Sequence, residues 1–405
     1  MLFLYLYTAY GKIYLKIQRE YKAIQTATKK RKRIPALDLL RGMFMVAIIV
    51  DHLNWGPSLW YLVSGGGMMW AGPAEGFFAI SGILVGYIYG PRLAKSFKKA
   101  AKGLWKRAFL LYSLGILFTF VFTAIAVTTQ SATLPALWPH SGESFLLNTL
   151  LGRYAYGWTD FLPRYAVFMA IAPFLLWLIV KGKAWIVALA SVAVWVLFHK
   201  TPLLLPFSSW EIIFIPGMIL GYYLPTLQQW TANLPQRIYN SLQGSLWAIA
   251  GITFTVSSLL FVGLPMLGIA NPLSNVSPTV AVLFDKETVG VGRLLLGAVW
   301  FWALYTLVRR YEQPVNRATR GILQTIGTKS LYTYCIHGVI VFTVTLLITP
   351  PATASVIQST LFAAMILCAI YICVISPALA RWLDYEYHKY QLSRLLRYNT
   401  KYEST

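Results

Sequence analysis

Apolar positions in this chain fall in long, nearly unbroken stretches separated by short polar ones. Ten such stretches run near residues 37–55, 68–90, 108–129, 161–180, 184–198, 208–224, 245–267, 288–308, 330–349 and 355–380. About 20 apolar residues in helical form cross the ~30 Å hydrocarbon core of a bilayer. The pattern therefore predicts an all-α, polytopic bundle of about ten transmembrane helices, the fifth being short. An even number of spans puts both termini on one side. The connections on that side hold 29 of the 35 Lys and Arg residues, and the cation bias makes it the cytoplasm. The expected organisation is a basic, amphipathic N-terminal segment (residues 1–36), a membrane domain (37–380) and a basic cytoplasmic tail (381–405).

Composition agrees: 57% of the 405 residues are apolar and 12% charged, with a mean hydropathy of +0.59, whereas soluble domains carry about 25% charged residues. The formal net charge of +22 could suggest a nucleic-acid partner. Its distribution is explained by membrane orientation and anionic lipid headgroups, so no nucleic acid is expected. Cys335, Cys368 and Cys373 all sit in apolar runs, with neither a disulfide framework nor zinc spacing around them.

Ionisable residues inside apolar spans are costly and mark candidate functional sites. The first span holds Asp38 and Arg41 near its start and Asp51 and His52 near its end. His52 lies 14 residues beyond Asp38, about 21 Å along a helix, and an imidazole titrating near neutrality suits a general base. A buried histidine bonded to a neighbouring helix is the competing structural reading. Asp51 is turned about 100° away from His52 on an ideal helix, and Glu75 in the second span is another candidate to orient the imidazole. Asp38 and Arg41, three residues apart, either pair on one helix face or hold a phosphate at the cytoplasmic mouth through the guanidinium fork. Lys106 and Arg107 abut the third span and are candidates for an anionic cofactor. His337, seven residues into the ninth span, is placed nearer the cytoplasmic side as either a cofactor contact or an interhelical hydrogen bond. Toward the opposite side stand Arg153, Asp160, Arg164, Lys286 and Arg293. Cations there run against the orientation bias, which points to ion pairing with Asp160 or Asp285, or to binding an anionic or sugar substrate. Two long outer loops, 130–160 and 267–287, add Trp138, His140, Glu143 and Trp158. The ordinary role of such aromatics is anchoring at the membrane interface.

LDLLRGMFMVAIIVDH (37–52) followed by AEGFFAISGILVGYIYG (74–90) resembles the start of the OpgC family of membrane acyltransferases, related to the wider acyltransferase 3 group. RYAYGWTDFLPRYAVFMAIAPFLLWL, PFSSWEIIFIPGMILG, DKETVGVGRLLL and SLYTYCIHGVI are similar to later blocks of that pattern, in order. The resemblance implies ten helices, cytoplasmic termini and a location in the inner or plasma membrane. The implied reaction is O-acyl transfer from cytoplasmic acyl-CoA (succinyl-CoA or acetyl-CoA) to an extracytoplasmic glycan such as a periplasmic glucan. The positions it matches are Asp38, Arg41, Asp51, His52, Glu75, Asp160, Lys286, Arg293 and His337. Two features depart from it: the basic N-terminal extension, and Arg164 where an apolar residue is expected. His52 then acts as general base or carries the acyl group itself. A transporter or flippase of a glycan or lipid-linked sugar, with the buried ionisable groups as a proton relay, is the alternative; release of CoA thiol separates the two.

Overall fold

Each of the ten apolar stretches forms a long helix. The structure, a computed structural model, describes residue 31 and residues 33–376 apart from 132, 136–141, 199–200, 202–204, 272–277 and 349–353. Among the described residues the chain is helical with no strand. The ten long helices are α1 Pro35–Leu53, α2 Pro73–Lys95, α3 Phe97–Thr129, α4 Phe161–Val180, α5 Ala184–Phe198, α6 Glu211–Ala232, α7 Gln236–Met266, α8 Val291–Arg310, α9 Ser330–Leu347 and α10 Val356–Ile375. Seven of them, α2, α3, α4, α7, α8, α9 and α10, are long and apolar enough to cross a membrane. Charge at Asp38, Arg41 and Asp51 sets α1 apart from this group. α5 is only 15 residues long, and α6 is diluted by Glu211 at one end and Gln228 and Gln229 at the other. This is a multi-pass membrane protein. The terminal segments 1–30 and 377–405, together with Trp138 and His140, lie outside the described residues.

One boundary differs instructively from the hydropathy pattern. α3 begins at Phe97, well before the apolar run, because the cation-rich segment continues as helix from Ser96, whose hydroxyl accepts the Lys99 N–H at 3.5 Å. α3 thus carries Lys106 and Arg107 as helical residues.

Lipid is as apolar as a leucine side chain, so helices in a bilayer associate mainly through close packing of small residues. α2 and α6 pack most extensively. Gly82 and Gly86 lie against the carbonyls of Phe214 and Met218, while Gly217 and Gly221 lie against those of Ala79 and Ile83. These are two small-xxx-small pairs facing one another. α1 is gripped the same way by the short helix Ile322–Thr328: Gly42 meets the Leu323 carbonyl and Gly327 meets the Asp38 carbonyl.

That grip sets the depth of α9. The short helix fills the space beside the first turns of α1, so α9 starts only where Ser330 and Arg41 share a cavity. His337, two turns into α9, is therefore carried to the level of His52. Placing it near the cytoplasmic side took the connection 309–329 to lie outside the bundle, whereas its part Ile322–Thr328 is a helix packed against α1.

α4 is also set deep. Its first turn packs on Gly115 of α3 through Leu162 and Pro163, and Thr159 just before it bonds Thr119 at 3.3 Å. α3 continues ten residues beyond Thr119, about 15 Å. The connection leading into α4 thus descends into the bundle instead of crossing its outer face.

Any side chain at Gly327 would overlap the Asp38 carbonyl. We expect Gly327→Val to lower stability by about 1–3 kcal/mol or more, read as a lower thermal midpoint of detergent-solubilised protein. Gly244 in α7 has open space around it, and Gly244→Ala is expected to leave the midpoint unchanged or raise it.

Candidate active site

The end of α1 and the second turn of α9 meet at two histidines. His52 Nδ1 and His337 Nε2 are 2.9 Å apart, with the rings stacked at 5.2 Å between centroids. His337 is fully buried, and its Nδ1 lies 2.6 Å from the Tyr334 carbonyl one turn back on the same helix. A carbonyl oxygen only accepts, so His337 Nδ1 carries a hydrogen. With both rings neutral, His337 Nε2 is then an acceptor and His52 Nδ1 must donate to it. His52 Nε2 is left with an unprotonated lone pair. His52 retains partial exposure, so this nitrogen belongs to the one ring of the pair that a reactant can approach.

Trp158 flanks the dyad, its ring centroid 6.4 Å from that of His52. The Tyr334 hydroxyl donates to the Trp158 carbonyl, so one tyrosine fixes both the histidine tautomers and the connection before α4.

Neither expected carboxylate orients His52. Asp51 Oδ1 instead accepts the Gly66 N–H at 3.0 Å, in the loop following α1. Helix geometry had turned it away from its neighbour, and the loop takes it up. Glu75 forms a buried ion pair with Arg293 and accepts the Gly72 N–H at 3.0 Å, closing the first turn of α2. Arg293 also donates to the carbonyls of Met69 and Phe284. Three segments are tied together by this pair, which gives the buried guanidinium its counter-charge. Lys286 is exposed and acts electrostatically on both Asp51 and His52; its Nζ would lie 3.8 Å from a side chain at Gly67. Asp285 is engaged by the Thr288 N–H and hydroxyl. Arg164 pairs with Asp160 at 2.9 Å and lies over the Trp210 ring. Arg153 is exposed at the surface.

A second cluster lies toward the start of α1. Asp38 does not meet Arg41. It is held by Arg33, two residues before the helix starts, at 2.5 Å. Arg41 is left facing a small, partly open cavity whose walls include Arg107, Ser81, Ser330, Tyr165 and Tyr334. Its Nε is buried without a hydrogen-bond partner among the described residues. Two arginines, two serines and two tyrosines thus line one space, while Asp38, Lys106 and His337 are not among its walls. Arg41 and His52 are 11 residues apart on α1, about 17 Å. Tyr334 bridges that distance: it lines the cavity and its carbonyl holds His337.

Tyr334 and Glu211 escaped the reading of the sequence. Tyr334 stands three residues before His337, the spacing that puts two residues on one helix face. Glu211 opens an apolar run, the same signal that picked out His52. It accepts a hydrogen bond from Ser191 at 2.7 Å and pins α5 to α6.

Comparison with known proteins gives one match. The family model described as OpgC protein covers residues 33–383. No curated protein and no solved structure matches.

Removing one partner of a buried ion pair strands the other, at a cost of about 3–5 kcal/mol. Glu75→Ala is therefore expected to lower the thermal midpoint in detergent strongly. The double change Glu75→Met with Arg293→Met is expected to recover most of the loss.

Proposed function

Since the chain belongs to the OpgC family, we propose that it is a membrane acyltransferase moving an acyl group from cytoplasmic acyl-CoA to a hydroxyl of an extracytoplasmic glycan. The observation that carries this reading is the directed hydrogen-bond chain Tyr334 carbonyl, His337, His52, which leaves a free imidazole nitrogen on the exposed side of the pair.

In this reading the membrane domain has ten spans with cytoplasmic ends, flanked by the basic segments 1–36 and 381–405. The donor is succinyl-CoA or acetyl-CoA. Its phosphates are held by Arg41 and Arg107, with Lys106 next to Arg107 on α3 adding positive charge. Guanidinium groups suit this task because they donate paired hydrogen bonds to phosphate oxygens. The arm carrying the thioester passes Tyr334 to reach the dyad.

His52 Nε2 then takes the proton of the acceptor hydroxyl as its oxygen attacks the thioester carbonyl. The tetrahedral intermediate collapses with cleavage of the C–S bond, and the imidazolium returns the proton to the departing thiolate. The reaction is balanced without a further reactant. His337 and the Tyr334 carbonyl hold the imidazole in the required tautomer and disperse its charge while it is protonated, the part played by the orienting acid of a catalytic triad. Asp51 and Lys286 shape the field on the outer side of His52.

Loss of a general base costs about 10²–10⁴-fold. Transfer of radiolabelled acyl groups from CoA to glycan by purified protein is expected to fall by that factor in His52→Ala. His337→Ala is expected to lower kcat with little change in KM, and Arg41→Met to raise the KM for acyl-CoA. Undiminished turnover in His52→Ala would remove His52 from its role, and absence of thioester cleavage with either donor would remove the acyltransferase reading.

A further inference from the structure

The connection that descends into the bundle before α4 has a physical constraint attached to it. Non-helical backbone at membrane depth persists only where protein buries it or where it lines a water-filled space. Part of this segment, 152–160, is buried and satisfied: Tyr156 is 1% exposed, its hydroxyl donates to the Pro135 carbonyl, and Thr159 bonds both Tyr156 and Thr119. Trp158 is different. Its carbonyl is fixed by Tyr334 and its ring lies beside His52, yet the side chain keeps partial exposure. Its indole N–H has no hydrogen-bond partner among the described residues and is not sealed from solvent. An interfacial anchor would sit at the end of a span. The next residue, Thr159, is level with Thr119, about 15 Å before the end of α3.

From this the geometry points to Trp158 as the platform for the acceptor sugar, stacking on the apolar C–H face of a pyranose ring and presenting one of its hydroxyls to His52 Nε2. The inference rests on the acyltransferase reading for the identity of the acceptor as a glycan. Two further observations favour a sugar over the acyl chain as the occupant. The donor side already has its own cavity, lined by Arg41 and Arg107. And polar residues follow Trp158 closely in the chain: Asp160 and Arg164 form a partly exposed ion pair, whose carboxylate and guanidinium can each hydrogen-bond to sugar hydroxyls. A flat apolar ring with planar polar groups a few residues along the chain suits a pyranose, which has apolar faces and a polar equator. It does not match a hydrocarbon chain.

Binding, measured without acyl-CoA present, tests this independently of the chemistry. Purified protein is titrated with a soluble β-glucan oligosaccharide, and separately with CoA. Trp158→Ala is expected to weaken glycan binding by about tenfold while its affinity for CoA holds. Trp158→Phe, which keeps an aromatic face, is expected to recover most of the affinity. His52→Ala, although inactive in transfer, is expected to bind glycan nearly as well as wild type. Equal glycan affinity in Trp158→Ala and wild type overturns the proposal, as does failure of the wild-type protein to bind the oligosaccharide. Loss of both glycan and CoA affinity in Trp158→Ala also overturns it, since that marks a structural role. Failure of the transfer reaction itself bears on His52 and leaves these outcomes readable.

Discussion

The close approach of α1 to the short helix Ile322–Thr328 is the contact on which the centre of the molecule depends. Two glycines, Gly42 and Gly327, let backbones touch, and this fixes how far α9 is raised relative to α1. A shift of one residue along α9 would move His337 by about 1.5 Å and turn it by about 100°, which is enough to break a 2.9 Å contact with His52. The dyad is therefore a consequence of helix packing at the opposite end of the span. Packing by small residues suits that purpose, because backbone against backbone has no rotamers to adjust.

The bilayer explains the remaining polar groups in the core. Three carboxylates at the core each have a neighbour: Glu75 has Arg293, Asp51 the Gly66 N–H, and Glu211 has Ser191 on one of its two oxygens. These contacts join segments distant in sequence, so charge at membrane depth here also fastens the outer loops. Arg41 is the contrast. Its natural partner by spacing, Asp38, is taken by Arg33, and its Nε is left unsatisfied in a cavity shared with Arg107. Burying an unpartnered donor is unfavourable, and the arrangement makes physical sense as a cradle for an anion.

How much of this could be read from residues alone follows from what each signal measures. Hydropathy located all ten helices, because burial in lipid depends on composition over some twenty residues. It misplaced the start of α3, where the helix runs on through cations, and it did not register the short helix Ile322–Thr328, which falls in the polar connection before α9. Position along the chain picked out His52, since an imidazole deep in an apolar run is costly wherever it points. Partners were less legible. Asp51 and Glu75 are the carboxylates expected at His52, and His337 is expected nearer the cytoplasmic side, yet of the three only His337 meets His52; the reason is a glycine contact ten residues before it. Trp158 was read as an interfacial anchor because hydropathy does not reveal that a loop turns inward.

The dyad also accounts for an asymmetry between the two histidines. A single buried imidazole can flip between tautomers, and in one of them its outward nitrogen is protonated and useless as a base. Coupling it to a second imidazole, itself tied to a carbonyl that cannot donate, removes that freedom. Such a chain places no charge in the membrane while the protein waits, unlike a carboxylate partner, which would have to be kept ionised at depth. In the proposed reaction charge appears only when His52 takes a proton, and His337 is then positioned to accept a stronger hydrogen bond. A histidine in place of an acid as the orienting group would keep such a site neutral until its base is used. It also explains why the nearby acids Asp51 and Glu75 are engaged elsewhere.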